Sequence, residues 1–248
     1  MTVDFGLLGR LDPEDRRRVV GRMHRGLYAA GEVVFHEGDP ADTVHFVVEG
    51  RVVARRSSES GDRLAYAVIG PGETFGELAM LAPDRRRTTT IQAFEPTVTM
   101  ALSYGDFARL RSDHPSVERL LESLLAERVA RLTDGLMEAL HVPADRRVAR
   151  RLVELCRLYA PGPEVMTAVV PLTQTDVSEL SGVTRPTANR VLRGLAAIGV
   201  LELSRGSITV IDPAALRRHA GLPSERDSVA TRSPNGGRAS RPVAEPRS

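Results

Sequence analysis

Residues 75–81, Phe75-Gly76-Glu77-Leu78-Ala79-Met80-Leu81, break an otherwise regular pattern of short β-rich runs. The segment does not alternate, and it follows closely on glycines. It reads as a loop closing into one helical turn. Backbone N–H groups at such a turn lack helical partners and attract anions, phosphate above all. Gly76 lets a ligand approach the backbone closely. Glu77 is the one acidic residue in the stretch from Thr74 to Pro83, and its carboxylate can accept hydrogen bonds from ribose hydroxyls. Arg85-Arg86-Arg87 and Thr88-Thr89-Thr90 follow, a cation beside hydroxyls, which suits phosphate. A plain surface turn with an exposed basic strand end is the competing reading.

Outward from this segment, β-rich runs fall at residues 33–35, 44–48, 51–55, 64–69, 88–93 and 97–102. Gly31, Gly38-Asp39-Pro40, Glu49-Gly50, Gly61-Asp62 and Gly70-Pro71-Gly72 separate them. Short strands so punctuated predict an antiparallel sandwich or barrel. Ahead of them, Asp12-Pro13-Glu14 supplies a cap, a first-turn proline and an acidic first turn for a short helix through 16–23.

Behind the β region, Asp113 and Pro115 can start a second helix. Leu121, Leu125, Val129, Leu132, Leu136 and Leu140 recur at spacings of 4, 4, 3, 4 and 4, one apolar stripe on a helix of roughly 40 Å. The stripe suits packing on its own domain, or pairing with the same helix of a second copy.

Residues 143–159 read as a further helix, with Val148, Leu152, Leu155 and Leu158 on one face, ended by Pro161-Gly162-Pro163. Thr173 with Asp176 marks a capped start, Gly182 sits where a tight turn needs positive φ, and Thr184 with Pro186 opens a second helix. Val183, Val191, Leu192 and Leu195 can pack inward. Arg185, Thr187, Asn189 and Arg190 remain polar, as expected of a helix that reads base edges in a major groove. Residues 199–203 and 207–211 around Ser204-Arg205-Gly206 read as a hairpin, the wing of a winged helix. The stretch 222–248, rich in Pro, Ser, Arg and Gly, reads as a disordered tail.

Composition fits this division. The 248 residues are 42% hydrophobic and 27% charged, ample for two small cored domains. No stretch approaches the roughly 18 apolar residues of a membrane span, and the opening residues lack the pattern of a secretory signal, so a cytoplasmic location is expected. The single Cys156 excludes an internal disulfide framework and a cysteine-ligated cluster within one chain. The six histidines are scattered singly, so no metal is expected. All 34 basic residues are arginine, whose fork suits phosphate and guanine. Net charge runs −1 over 1–112, −3 over 113–140, +4 over 141–220 and +2 over 221–248. A basic rear is compatible with a nucleic-acid module. No nucleophile–base pair, P-loop or metal cluster supports an enzyme.

Residues 31–42, Gly31-Glu32-Val33-Val34-Phe35-His36-Glu37-Gly38-Asp39-Pro40-Ala41-Asp42, resemble the opening of a cyclic-nucleotide-binding β-roll. Phe75-Gly76-Glu77-Leu78-Ala79 followed by Arg87-Thr88 resembles its phosphate-binding cassette. From about residue 5 to 220 the chain is similar to the Crp/Fnr family of bacterial transcription factors. The resemblance implies an α+β architecture: an N-terminal double-stranded β-roll (1–112), a long dimerisation helix (113–140) and a C-terminal winged helix-turn-helix (141–221). It implies that Gly76, Glu77, Leu78 and Ala79 form the cassette, Glu77 taking the ribose 2′-hydroxyl, and that Arg87 with Thr88 takes the cyclic phosphate. Arg86 is the fallback for Arg87. Thr133 matches a base-contacting hydroxyl of the long helix, whereas the adjacent position is Leu132. The implied effector is cyclic AMP, with cyclic GMP as the alternative. The implied partners are a second copy of the chain, a palindromic DNA operator and RNA polymerase, with activation as output. Thr173, Thr184, Arg185, Thr187, Asn189 and Arg190 are the implied DNA contacts. Pro186 stands where the family often has a base-reading glutamate. Leu132 keeps open a regulator of the same type that does not use cyclic AMP, an orphan sensor or a constitutive DNA binder.

Overall fold

A computed structural model describes residues 8–9, 11–59, 61, 63–159 and 168–223. The expected tail beyond 223 and the Pro161-Gly162-Pro163 stop lie outside the described residues.

The chain opens with α1 (Pro13–Val20), whose N-cap Asp12 accepts from the backbone of Glu14 and Asp15. β1 (His24–Tyr28), β2 (Val33–Phe35), β3 (Thr43–Glu49), β4 (Val52–Ser57), β5 (Arg63–Ile69) and β6 (Thr74–Phe75) follow. A five-residue helix, α2 (Glu77–Leu81), then precedes β7 (Thr90–Ala93) and β8 (Thr97–Ser103). The strands form two antiparallel four-stranded sheets, ordered β1-β8-β3-β6 and β2-β7-β4-β5. Val47 and Phe75 of the first sheet meet Val52, Ala54, Ile69 and Ile91 of the second in one buried cluster, so the sheets pack face to face as a β-roll. Burying each of the valine, isoleucine and phenylalanine side chains contributes about 1.5–3 kcal/mol.

α3 (Tyr104–Asp113), capped by Ser103, leads into α4 (Pro115–His141). The start of α4 packs on the roll through Val117 and Leu121. Farther along, the stripe is uncovered within the chain: Val129, Leu132, Leu136 and Leu140 are each more than half exposed. The two readings of the stripe therefore divide along its length.

The rear unit comprises α5 (Ala144–Tyr159), β9 (Ala168–Val170), α6 (Gln174–Ser181), α7 (Arg185–Ala197), β10 (Leu201–Ser204), β11 (Ser207–Val210) and α8 (Pro213–His219). β9 joins the expected hairpin to make a three-stranded sheet, β10-β11-β9. Val148, Leu152 and Leu155 are buried as expected, but Leu158 is exposed. At 100° per residue Leu158 stands about a quarter turn from the centre of that stripe, and Tyr159 takes the core-facing position instead. The rear core continues into the roll, because Val53 and Ala65 belong to the same buried cluster as α5, α6 and α7. No helix among the described residues is long and apolar enough to cross a membrane.

Candidate functional site

Gly76 turns the chain from β6 into α2 with φ of 84°, a conformation that disfavours side chains. Space imposes the same choice, since a Cβ there would lie 2.6 Å from Arg87 Nη1. Arg87 is the arginine of the 85–87 run that turns inward; Arg85 and Arg86 are exposed, and Arg86 donates instead to the Gly38 carbonyl at 3.1 Å. The Arg87 guanidinium lies 4.0 Å from the Phe35 ring centroid. Its Nη1 donates to the carbonyls of Thr43 (2.8 Å) and Gly76 (3.3 Å), and Nη2 to Thr43 Oγ1 (3.0 Å) and Asp42 Oδ1 (3.4 Å). Burial pulls its pKa down, and the carboxylates of Asp42, Asp39 and Glu77 oppose that. Arg87 Nε is buried with no hydrogen-bond partner among the described residues.

Glu77, the first residue of α2, is also buried. Its Oε1 accepts from Arg128 of α4, whose other terminal nitrogen reaches the Thr74 carbonyl at 3.4 Å. Its Oε2 is buried without a partner among the described residues. Desolvation raises the Glu77 pKa, with the Arg128 charge working against it. Beside this pair opens a cavity lined by Gly76, Leu78, Ala79, Arg87, Thr88 and Thr89, with Phe35, Tyr66 and Arg128 among its other walls. A buried cation, a buried anion and their two unpartnered polar atoms thus flank one glycine turn. That arrangement suits a small ligand carrying both a phosphate and hydroxyls.

His45 on β3 supports Arg87 from behind. Its Nε2 lies 3.1 Å from Thr43 Oγ1, its Nδ1 3.4 Å from Thr99 Oγ1, and its ring stacks on Phe75 at 4.9 Å. Burial, then the neighbouring Arg87 charge, brings the imidazole pKa down to about 4, so His45 is neutral at physiological pH.

The structure brings together Gly76, Glu77, Leu78, Ala79, Arg87 and Thr88, but not Thr133. Thr133 is exposed on α4, and its hydroxyl donates to the Val129 carbonyl at 3.0 Å. The α4 residue that reaches the cradle is Arg128, which the sequence reading passed over. The signal was present: Arg128 stands seven residues after the buried Leu121, on the same helical face.

In the rear unit, Thr173 Oγ1 accepts from Asp176 N, and Asp176 Oδ2 accepts from Thr173 N (2.9 Å) and Oγ1 (2.6 Å), a complete capping box for α6. Gly182, at φ 58°, makes the turn. Thr184 Oγ1 accepts from Thr187 N at 3.4 Å to cap α7. α7 buries Ala188, Leu192 and Leu195 and leaves Arg185, Pro186 and Arg190 exposed, with Thr187 and Asn189 half-buried. Thr173 and Arg185 share a surface groove with Arg205, which precedes the Gly206 wing turn. Arg205 is a further candidate contact, recognisable from a basic residue at a hairpin tip.

Residues 10–114 match the model of the cyclic nucleotide-binding domain, and residues 146–219 that of the Crp-like helix-turn-helix domain. The chain is 31% identical to the cyclic AMP receptor protein of Thermus thermophilus, over 85% of this chain and 94% of that one. The chain belongs to the Crp/Fnr family. It is 30% identical to the CRP-like cAMP-activated global transcriptional regulator of Mycobacterium tuberculosis, over 87% of this chain and 96% of that one. Among solved structures, the c-di-GMP responsive global regulator CLP of Xanthomonas campestris shares the fold, with TM-score 0.69 and 23% identity over 80% of this chain and 99% of that one. This Crp/Fnr member is accordingly a transcription regulator and not an enzyme.

Proposed function

We propose that this regulator is a homodimer whose effector is a cyclic nucleotide, cyclic AMP first, bound in the roll and read out through DNA. The observation that carries the reading is the pair of unpartnered buried atoms, Glu77 Oε2 and Arg87 Nε, on either side of the Gly76 turn. Glu77 would accept from ribose, and Arg87 with Thr88 would hold phosphate. Thr133 stands on the same uncovered face of α4 as Val129, so its base contact would be made across a helix pair. The exposed apolar side chains of that face, Val129, Leu132, Leu136 and Leu140, support two-fold pairing. Two copies of α7 would then enter successive major grooves, predicting a near-palindromic operator with half-sites one turn apart. Thr173, Thr184, Arg185, Thr187, Asn189 and Arg190 would make the contacts. Action in the cytoplasm as an activator, through RNA polymerase, follows from the same reading.

A second reading rests on Leu132, an apolar side chain where a base-contacting hydroxyl is expected. On that reading the roll senses another effector or none. Calorimetric titration of nucleotide-stripped protein with cyclic AMP and then cyclic GMP separates the two. Binding near one ligand per chain, lost in Arg87→Ala, is expected. Absence of heat from folded, dimeric protein favours the second reading.

A further inference from the structure

Arg55 belongs to the roll, yet its guanidinium is engaged by the other domain. Its Nε donates to Glu179 Oε2 at 2.8 Å and its Nη2 to Asp176 Oδ1 at 2.7 Å, both on α6, while Nη1 donates to Gln92 on β7. The Arg55 side chain is 12% exposed, and those of Asp176 and Glu179 are 20% and 10% exposed. The β4–β5 register shifts between Ala54 and Arg55. A bulge of this kind re-aims a side chain that strand alternation would place elsewhere.

The same residue touches the wall of the ligand cavity. The Arg55 carbonyl accepts from Thr89 Oγ1 at 2.6 Å, and Thr89 and the preceding Ala54 both line that cavity. On the far side, Asp176 completes the α6 capping box by accepting from Thr173, a candidate DNA contact. One residue therefore spans from the cavity lining to the start of the helix-turn-helix, within a single chain.

Among the described residues, Arg55 is the cation paired with both α6 carboxylates. Asp176 and Glu179 stand three apart on α6, so their charges share a face and repel. Both are drawn against the roll, where Val53 and Ala65 join the rear core. Without Arg55 they would be two largely buried carboxylates with no ion-pair partner among the described residues, an arrangement that favours opening of the junction.

We propose that Arg55 is a strut, a positioning residue that couples occupancy of the roll cavity to the placement of α6 and α7. The proposal rests on the cyclic-nucleotide reading above. Its signature is a change in coupling, without loss of ligand binding.

The test uses the full chain and a DNA site that the wild-type chain selects from a random pool. DNA affinity is measured with and without saturating cyclic AMP, and cyclic AMP affinity is measured by calorimetry on the same samples. Arg55→Gln is expected to bind cyclic AMP within about threefold of wild type while the ligand-dependent change in DNA affinity shrinks at least fivefold; allosteric couplings commonly span 5–150-fold. Arg51→Gln is the control. Arg51 also crosses to the rear unit, donating to the Leu158 carbonyl and lying 4.3 Å from the Tyr159 ring centroid, but its hydrogen-bond partners Glu95, Thr97 and Leu158 do not line the cavity as Thr89, bonded to Arg55, does. Its coupling should match wild type. Should Arg55→Gln fail to fold, Asp176→Asn with Glu179→Gln neutralises the same two ion pairs and is expected to show the same loss. Wild-type coupling in the folded variant, an equal loss in Arg51→Gln, or a wild-type DNA affinity indifferent to bound cyclic AMP would each overturn the strut. Failure of the wild-type chain to bind cyclic AMP would instead remove the underlying reading, and the strut with it.

Discussion

The cradle around Gly76 and the start of α7 are built from similar parts, arginine and threonine beside a glycine turn, but they stand differently toward water. Arg87 is 2% exposed and its terminal nitrogens are held by four protein acceptors. Arg185 and Arg190 project from a helix whose opposite face is buried. In the cradle each charge is the solvation of another, so removing one leaves its partner stranded. On α7 each charge is already solvated, so removing one costs little until DNA arrives. Cradle substitutions should therefore register in folding as well as in binding, and reading-helix substitutions in binding alone.

Arg128→Ala is the severest way to break the cradle. It leaves Glu77 buried without its cation and should lower unfolding stability by about 3 kcal/mol at neutral pH. The loss should shrink in acid. With the Glu77 pKa pushed above its unfolded value, the folded state holds more protons, so stability rises as pH falls. Denaturant unfolding of mutant and wild type at pH 8 and pH 5 checks this; an equal deficit at both would show that Glu77 does not depend on Arg128.

His45 gives the opposite slope. Its pKa is lowered from 6.5 to about 4, so between those values the unfolded chain binds a proton that the folded chain refuses. Stability therefore falls as pH drops through that window, by about 3 kcal/mol in full. His45→Phe, close in shape and unable to titrate, should flatten that component. The difference between wild-type and mutant unfolding curves from pH 7 to pH 4 is the measurement, and parallel curves would refute a buried neutral imidazole.

On the exposed side, Arg190→Ala should weaken specific DNA binding by about 1–3 kcal/mol, leave the unfolding midpoint unchanged and spare ligand binding. Electrophoretic titration and thermal melts on one preparation would show whether the two regions separate in this way. A large fall in melting temperature would place Arg190 in the core rather than on the reading face.

The difference in solvation also governs what the sequence revealed. The cassette, the long stripe and the capped two-helix turn were legible because each is local: a glycine, a cap and a helical period lie within a few residues. β1 was missed because His24-Arg25-Gly26-Leu27-Tyr28 has no apolar alternation, and it is a strand through pairing with β8. Arg128 and Arg55 were missed for a related reason. Each acts on residues about 50 or more than 100 positions away, and nothing local marks an arginine as inward-facing. Thr133 shows the converse: the resemblance matches it by position on the long helix, but it lies on the face of α4 left uncovered within one chain, so its role turns on a second copy and not on anything local.

The smallest expected effect tests whether the wing belongs to the reading surface. Arg205 sits at the tip of the β10–β11 hairpin, beside Thr173 and Arg185. Its place at a hairpin turn, outside α7 itself, suits a backbone phosphate better than a base edge. A phosphate contact carries no sequence information and releases counterions. Arg205→Ala should therefore weaken cognate and unrelated DNA alike and lower the slope of log affinity against log salt by about 1. Arg190→Ala, by contrast, should penalise cognate DNA selectively. Affinities over a salt series for both DNAs distinguish the two patterns. Selective loss on cognate DNA in Arg205→Ala would make the wing a reader of bases, and an unchanged slope would take it off the DNA altogether.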